Sequence, residues 1–175
     1  MKRSIFDGAI LTSIEWRIER GQIYEFTDTL DIANAGGTGQ WLMRTGSKIM
    51  TLEERRITTN GDEMTYEAFG LPTVTSDGTA LSVGARNAII PADSTVKFFR
   101  SPTVSADGTP AAPVYMPGAS GQGNSTLGQF DHDGLVRILP ANTDFLLRIT
   151  NDGAKNPAKT QIYLVWAELT DPTPE

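Results

Sequence analysis

Residues 22–33 read Gln-Ile-Tyr-Glu-Phe-Thr-Asp-Thr-Leu-Asp-Ile-Ala, and from Tyr24 every second position is apolar but one. Side chains of an extended strand point alternately to its two faces. Tyr24, Phe26, Leu30 and Ile32 therefore share a face turned to a core, with Asp28 the exception on it. Outward from this stretch the same period recurs. Gly36-Gly37-Thr38-Gly39 breaks the chain, and Trp41-Leu42-Met43 begins a strand that ends near Gly46. Ile49 to Thr59 reads as a long strand, Asn60-Gly61 as a hairpin turn, and Met64 to Phe69 as the strand running back from it. Further strands are expected at Ala88–Ile90, Thr95–Arg100, Leu135–Leu139, Phe145–Thr150 and Gln161–Leu169. Pro140-Ala141-Asn142-Thr143 and Asn151-Asp152-Gly153 supply turns between them. Ile162-Tyr163-Leu164-Val165-Trp166 is the most apolar run and predicts a central strand buried on both faces. Helical turns are expected only within the first twenty residues and over Thr51–Arg56.

About nine to ten short strands with polar turns between them predict an all-β, single-domain β-sandwich with little helix. The jelly roll is its common form among particle-surface proteins. Residues 1–20 read as an N-terminal segment or arm, and 21–172 as the sandwich, with a flexible Gly/Pro/Ser-rich loop near 107–129.

One internal repeat stands out. Pro72-Thr73-Val74-Thr75-Ser76-Asp77-Gly78-Thr79 recurs as Pro102-Thr103-Val104-Ser105-Ala106-Asp107-Gly108-Thr109. Pro suits a strand entry, Val and Thr extended backbone, and Asp-Gly a turn with positive φ. The repeat predicts two similar loops facing each other, or a pair of loops that contacts a partner.

The chain has 175 residues, no Cys and a net charge of −6. A domain of this length buries roughly two-thirds of its unfolded surface without disulfides, and lack of thiols suits assembly in a reducing cytoplasm. Nucleic acid is not expected as a partner, because Lys2-Arg3 and Arg55-Arg56 are the only basic clusters and Glu53-Glu54 adjoins the second. That quartet predicts local ion pairs on a strand edge. No membrane span or secretory leader is expected, since the longest apolar stretch near the start is Ala9-Ile10-Leu11.

Chemistry finds few residues to use. His132 is the single histidine, too few for a cupin metal centre, and it lies in the polar turn Asp131-His132-Asp133-Gly134. Asp131, His132 and Asp133 are adjacent, so they cannot all face one ion. Gly118-Ala119-Ser120-Gly121 falls one residue short of a nucleophile elbow. Trp16, Trp41 and Trp166 sit in apolar strand-like contexts that favour core over sugar platform. The chain is expected not to be an enzyme, with no catalytic, cofactor-binding or metal-binding residues and no cofactor.

The order of segments resembles tailed-bacteriophage capsid decoration (cement) proteins with a jelly-roll sandwich. The resemblance lies in Tyr66-Glu67, then Pro72-Thr73-Val74, Asp77-Gly78-Thr79-Ala80-Leu81 and Arg86-Asn87, followed by the second Pro-Thr-Val and Asp-Gly-Thr. It continues in Arg137-Ile138-Leu139-Pro140-Ala141-Asn142-Thr143, Phe145-Leu146-Leu147-Arg148-Ile149-Thr150-Asn151 and Val165-Trp166-Ala167-Glu168. The sequence departs at Ala167, where the pattern carries an aromatic, and in the irregular Gly84-Ala85-Arg86-Asn87. The resemblance implies a virion protein on the outer capsid surface, assembled in the host cytoplasm, that bridges copies of the major capsid protein. Site symmetry then predicts a homo-oligomer, dimer or trimer, with Met1 to Glu15 a candidate arm. The rival reading is a tail- or fibre-associated receptor- or glycan-binding module, which would present two or three solvent-facing rings.

Overall fold

The computed structural model describes residues 5–6, 9–10, 22–59, 63–87, 89, 93–116, 128–131, 137–153 and 158–169. In chain order its strands are β1 (Ile5–Phe6), β2 (Ala9–Ile10), β3 (Ile23–Ile32), β4 (Thr38–Arg44), β5 (Ile49–Thr59) and β6 (Met64–Gly70). Next come β7 (Thr73–Ser76), β8 (Thr79–Leu81), β9 (Gly84–Ala85), β10 (Lys97–Arg100), β11 (Thr103–Ala106) and β12 (Thr109–Pro110). The last are β13 (Val114–Met116), β14 (Gly128–Asp131), β15 (Arg137–Leu139), β16 (Asp144–Asn151) and β17 (Ala158–Leu169). No helix occurs among the described residues, and Thr51–Arg56, read above as a possible helical turn, lies inside β5.

Pairing follows one scheme from the outside of the chain inward. β3 pairs with β17, β4 with β16, β5 with β14 and β15, and β6 with β12 and β13, all antiparallel. This is a long hairpin rolled over on itself, with successive strands falling alternately in two sheets, and it is the jelly-roll order. One sheet runs β14-β5-β17-β3-β9, with β15 also on β5. The other runs β12-β6-β16-β4-β10-β8, with β13 also on β6. Residues between β6 and β12 form an insertion that adds β8 and β10 to the second sheet and β9 to the first.

The rolled order overturns the hairpin expected at Asn60-Gly61. β5 and β6 lie in different sheets, so the chain crosses between sheets there, though residues 60–62 themselves lie outside those described. Turn chemistry at two residues cannot outweigh the burial gained when each long strand sets its apolar face against the opposite sheet. Another correction concerns Ala88–Ile90. Ile89 is in a bend and 91% exposed, while its two neighbours lie outside the described residues.

The core lies between the sheets. Phe26 and Phe98 stack across it with centroids 4.0 Å apart, and Trp166 packs on Phe98 and Tyr24. The alternation read in residues 22–33 holds, since Tyr24, Phe26 and Ile32 are buried and Leu30 packs on them. Asp28 faces the same way because the interior supplies its partners. It accepts hydrogen bonds from Trp41 Nε1 at 2.7 Å and Arg100 Nε at 2.8 Å, and Arg100 Nη2 pairs with its other oxygen.

β17 is the central strand expected, flanked by β3 and β5 and buried on both faces from Leu164 to Glu168. Its pairing with β5 slips at Val165/Trp166, which leaves Glu53 unmatched. This bulge flips the alternation of β5, so Arg55 and Ile57 face inward on one side of it and Leu52 and Met50 on the other. Arg55 is thus a buried residue of an interior strand, with its guanidinium 4.8 Å from the Tyr66 ring. Of the ion pairs expected in the Glu53–Arg56 run, Arg56–Glu54 forms at 3.0 Å.

β10 begins at Lys97, not Thr95, for a local reason. Glu168 on β17 is buried and draws the preceding segment inward. Its carboxylate accepts from the Thr95 amide at 2.9 Å, the Thr95 hydroxyl at 2.8 Å and the Ser94 hydroxyl. These donors offset the cost of taking a carboxyl group out of water.

Candidate interaction surface

The repeated segments come together on the outer face of the second sheet. β7 and β11 form a separate antiparallel ribbon, with Val74 opposite Val104. On either side the register shifts in matching fashion, placing Thr103 opposite Ser76 and Ala106 opposite Thr73. The loops therefore do face each other, and they do so about a local two-fold axis.

That axis extends into the sheet. Beneath the ribbon, Phe99, Leu42, Leu146 and Phe69 form one row across β10, β4, β16 and β6. The dyad passes between Leu42 and Leu146, both fully buried on this outer side. Each feature on one side has its counterpart on the other. Backbone amides after the two strands donate inward, Leu71 N to Asp144 O at 2.9 Å and Ser101 N to Gln40 O at 3.0 Å. Leu71 and Ser101 both adopt positive φ, 57° and 54°. Gly78 and Gly108 follow at 88° and 92°, and a Cβ on either would lie 2.2 Å from a carbonyl oxygen, that of Arg100 or of Gly70. Only glycine fits there.

Side chains repeat the pattern. Arg44 Nη1 donates to Asp77 Oδ2 at 2.9 Å, and Arg148 Nη1 to Asp107 Oδ2 at 2.8 Å. Both guanidiniums lie over a ring, Arg44 over Phe99 at 5.6 Å and Arg148 over Phe69 at 5.0 Å. Each arginine also holds its neighbour across the dyad. Arg44 Nε donates to Asp144 at 2.8 Å, and Arg148 Nε to the Gln40 amide oxygen at 2.9 Å in the amide orientation that satisfies both groups. Hydrogen bonds from the arginines hold the Asp77 and Asp107 carboxyls below the ordinary carboxylate range. Thr75 Oγ1 donates to Thr103 O at 3.0 Å and Ser105 Oγ to Thr73 O at 3.4 Å, again a dyad-related pair.

What the ribbon presents outward is polar and uncharged. Thr73, Thr75, Ser76, Thr103, Ser105 and Ala106 are exposed, while the two carboxylates are occupied by arginine. The sequence showed the repeat; the arginines, which lie far away at Arg44 and Arg148, carried no signal linking them to it.

Beneath the ribbon the symmetry ends. On one side the partly exposed Arg100 donates to Asp28, which also accepts from the buried Trp41 Nε1. On the other the dyad-related residue is Gly70, and a cavity of about 110 Å³ opens there, lined by Leu52, Arg55, Tyr66, Arg137, Leu139 and Phe145. Burial pushes the Tyr66 phenol up, opposed by the Arg55 and Arg137 guanidiniums.

The remaining residues singled out in the sequence fall elsewhere. Trp41 and Trp166 are fully buried in the core. Trp16 and the segments 117–127 and 132–136, with Ser120, His132 and Asp133, lie outside the described residues. Asp131 ends β14 opposite Arg56. The Gly/Pro/Ser-rich stretch expected to be a loop is ordered in part, since β12 and β13 pair with β6 and β14 with β5. Among the described residues no three His, Cys, Asp or Glu side chains are placed to hold a metal ion. Tyr115, 56% exposed, is the aromatic among the exposed large hydrophobic residues described.

No family model matches the chain, and no curated protein matches it. Among solved structures the likeness is slight. A structure of the Gt strain of infectious bursal disease virus is 10% identical with a TM-score of 0.18, over 86% of this chain and 41% of that one. The VP2 subviral particle of the same virus is 10% identical with a TM-score of 0.15, over 85% of this chain and 42% of that one. The chain thus spans less than half the length of the chains in these two structures. TM-scores this low carry no argument, and the fold assignment rests on strand order alone.

Proposed function

We propose that this chain is a non-enzymatic virion protein that decorates the outside of a phage capsid and stabilises the shell by bridging capsid subunits. The observation that carries the reading is where the resembling segments fall. Pro72–Leu81, its repeat and Phe145–Asn151 are distant in sequence, yet they build the ribbon and the sheet that supports it. Other resembling segments, Arg137–Thr143 and Val165–Glu168, lie in the first sheet, so the ribbon is the part of the resemblance that is exposed and free to meet a partner.

The mechanism is linkage. A ligand that binds the assembled shell and not its free subunits stabilises the shell by mass action, at every site at once. The partner in this reading is the major capsid protein. The net charge of −6 would leave decorated particles mutually repelling. The glycan-binding alternative needs two or three solvent-facing rings; Trp41 and Trp166 are interior, and Tyr115 is the aromatic among the exposed large hydrophobic residues described.

The test is copy number: the amount of this chain relative to the major capsid protein in purified virions of its source phage. Hundreds of copies in a simple ratio are expected. A dozen or fewer would move the protein to the tail or a vertex, and absence would end the virion reading.

A further inference from the structure

We infer that the ribbon docks across a two-fold axis of its partner, so that one chain, through its internal dyad, meets two identical copies of a single subunit. This rests on the decoration reading and adds to it the symmetry of the site and the number of chains that fill it.

The duplication is deeper than folding requires. Beneath the two halves the interior differs, Arg100 with Asp28 and Trp41 on one side and Gly70 over a cavity on the other. The core therefore does not impose the likeness of the surface. Buried or strained positions of the repeat have structural reasons: Pro72 and Pro102 enter the strands, Gly78 and Gly108 sit against carbonyls, Asp77 and Asp107 bind arginines. Thr73 with Thr103 and Thr79 with Thr109 are exposed strand residues; extended backbone favours Thr there without requiring it, and the two copies present the same group at dyad-related places.

A shell offers every contact twice at each of its two-fold axes. A monomer without symmetry satisfies one of the two. A monomer with its own dyad satisfies both while losing translational and rotational freedom once, which is the advantage of two linked sites. The homo-dimer that site symmetry otherwise demands becomes unnecessary, because the fold supplies the axis within one chain. The face is made of hydroxyls and arginine-neutralised carboxylates, so recognition proceeds through hydrogen bonds and depends little on salt.

The experiment uses the absence of native cysteine. Full-length Thr73→Cys and Thr103→Cys, each labelled with a benzophenone maleimide, are bound to undecorated capsids of the source phage, irradiated and mapped by mass spectrometry. Both labels should reach the same peptide of the major capsid protein in comparable yield, with one chain bound per two shell subunits at saturation. Binding that gives different peptides, a label at one position alone, cross-links to a second copy of this chain, or one chain per shell subunit would overturn two-fold docking and leave decoration standing. Failure of the unmodified chain to bind any capsid would overturn both.

Discussion

The half of the molecule centred on Arg44 and the half centred on Arg148 share an outer surface and differ in what lies below it. Above, backbone angles, carbonyl contacts and guanidinium partners match pair by pair. Below, one half is closed by a triad, Asp28 bonded to Trp41 and Arg100, and the other is left partly empty. The difference separates two kinds of constraint. Interior residues answer to packing, which many arrangements satisfy. The surface repeats where paired turns, carbonyl contacts and arginine–aspartate bonds hold it in two matching copies.

Substitutions break or sharpen this comparison. The largest effect is expected at Asp28→Ala, which strands the Arg100 guanidinium and Trp41 Nε1 in the half that has the triad. A loss of about 3 kcal/mol is expected from urea unfolding, chiefly because the buried Trp41 Nε1 loses its acceptor, while Arg100 is partly exposed. A loss under about 1 kcal/mol would mean that the triad contributes little beyond filling space.

Next come the paired glycines. Gly78→Ala and Gly108→Ala each force a Cβ against a carbonyl oxygen at positive φ. Each should cost roughly 2 kcal/mol, combining left-handed backbone strain with overpacking. Near-equal losses in urea midpoints support the dyad; a large inequality would show that the halves are not mechanically equivalent.

A smaller effect separates the aspartates. Arg44 keeps a bonded carboxylate, Asp144, when Asp77 is removed, whereas Arg148 keeps the uncharged Gln40 and the more distant pull of Glu67 when Asp107 is removed. Asp107→Asn should therefore cost more than Asp77→Asn, both within about 1 kcal/mol because the pairs are partly exposed. Both carboxyls are depressed in the folded state, so their contribution is present above about pH 4 and is lost as pH falls through their folded values. Acid titration of the two variants against the parent measures it; a parent and variants with the same acid limb would remove these pairs from the account.

The smallest change is expected at Gly70→Ala. A Cβ there meets only Phe145, at 3.8 Å, beside the cavity. Stability should hold or rise by up to about 0.5 kcal/mol, since alanine restricts the unfolded chain. A clear loss would show that Gly70 is needed for conformation.

Much of this was readable from residues 22–33 and 161–169, where period two and apolar density set the strand faces and the centre of a sheet. Asp28 broke the pattern because its reason lies elsewhere in the chain, at Trp41 and Arg100. The Asn60-Gly61 signal misled because turn propensity is local while sheet membership is global. Ile89 misled because a short apolar run looks the same in a strand and in a bend. The repeat was legible as a pair of loops, but its pseudo-dyad was not. The offset between the two copies is constant along the insertion, whereas the similar Trp41-Leu42-Met43-Arg44 of β4 and Phe145-Leu146-Leu147-Arg148 of β16 stand at a different spacing and are too short to stand out.

The rolled hairpin has a consequence for synthesis. β3 pairs with β17 from Ile23↔Ala167 to Ile32↔Ala158, so the earliest long strand waits for the last before its edge is covered. The same strand separates β3 from β5, and without it that sheet has no middle. Folding rates fall as contacting residues grow distant in sequence. The nascent chain must therefore carry β3, with Tyr24 and Phe26, without its long partner until β17 has left the ribosome, and a cell making it in quantity depends on the interval between that release and closure being short.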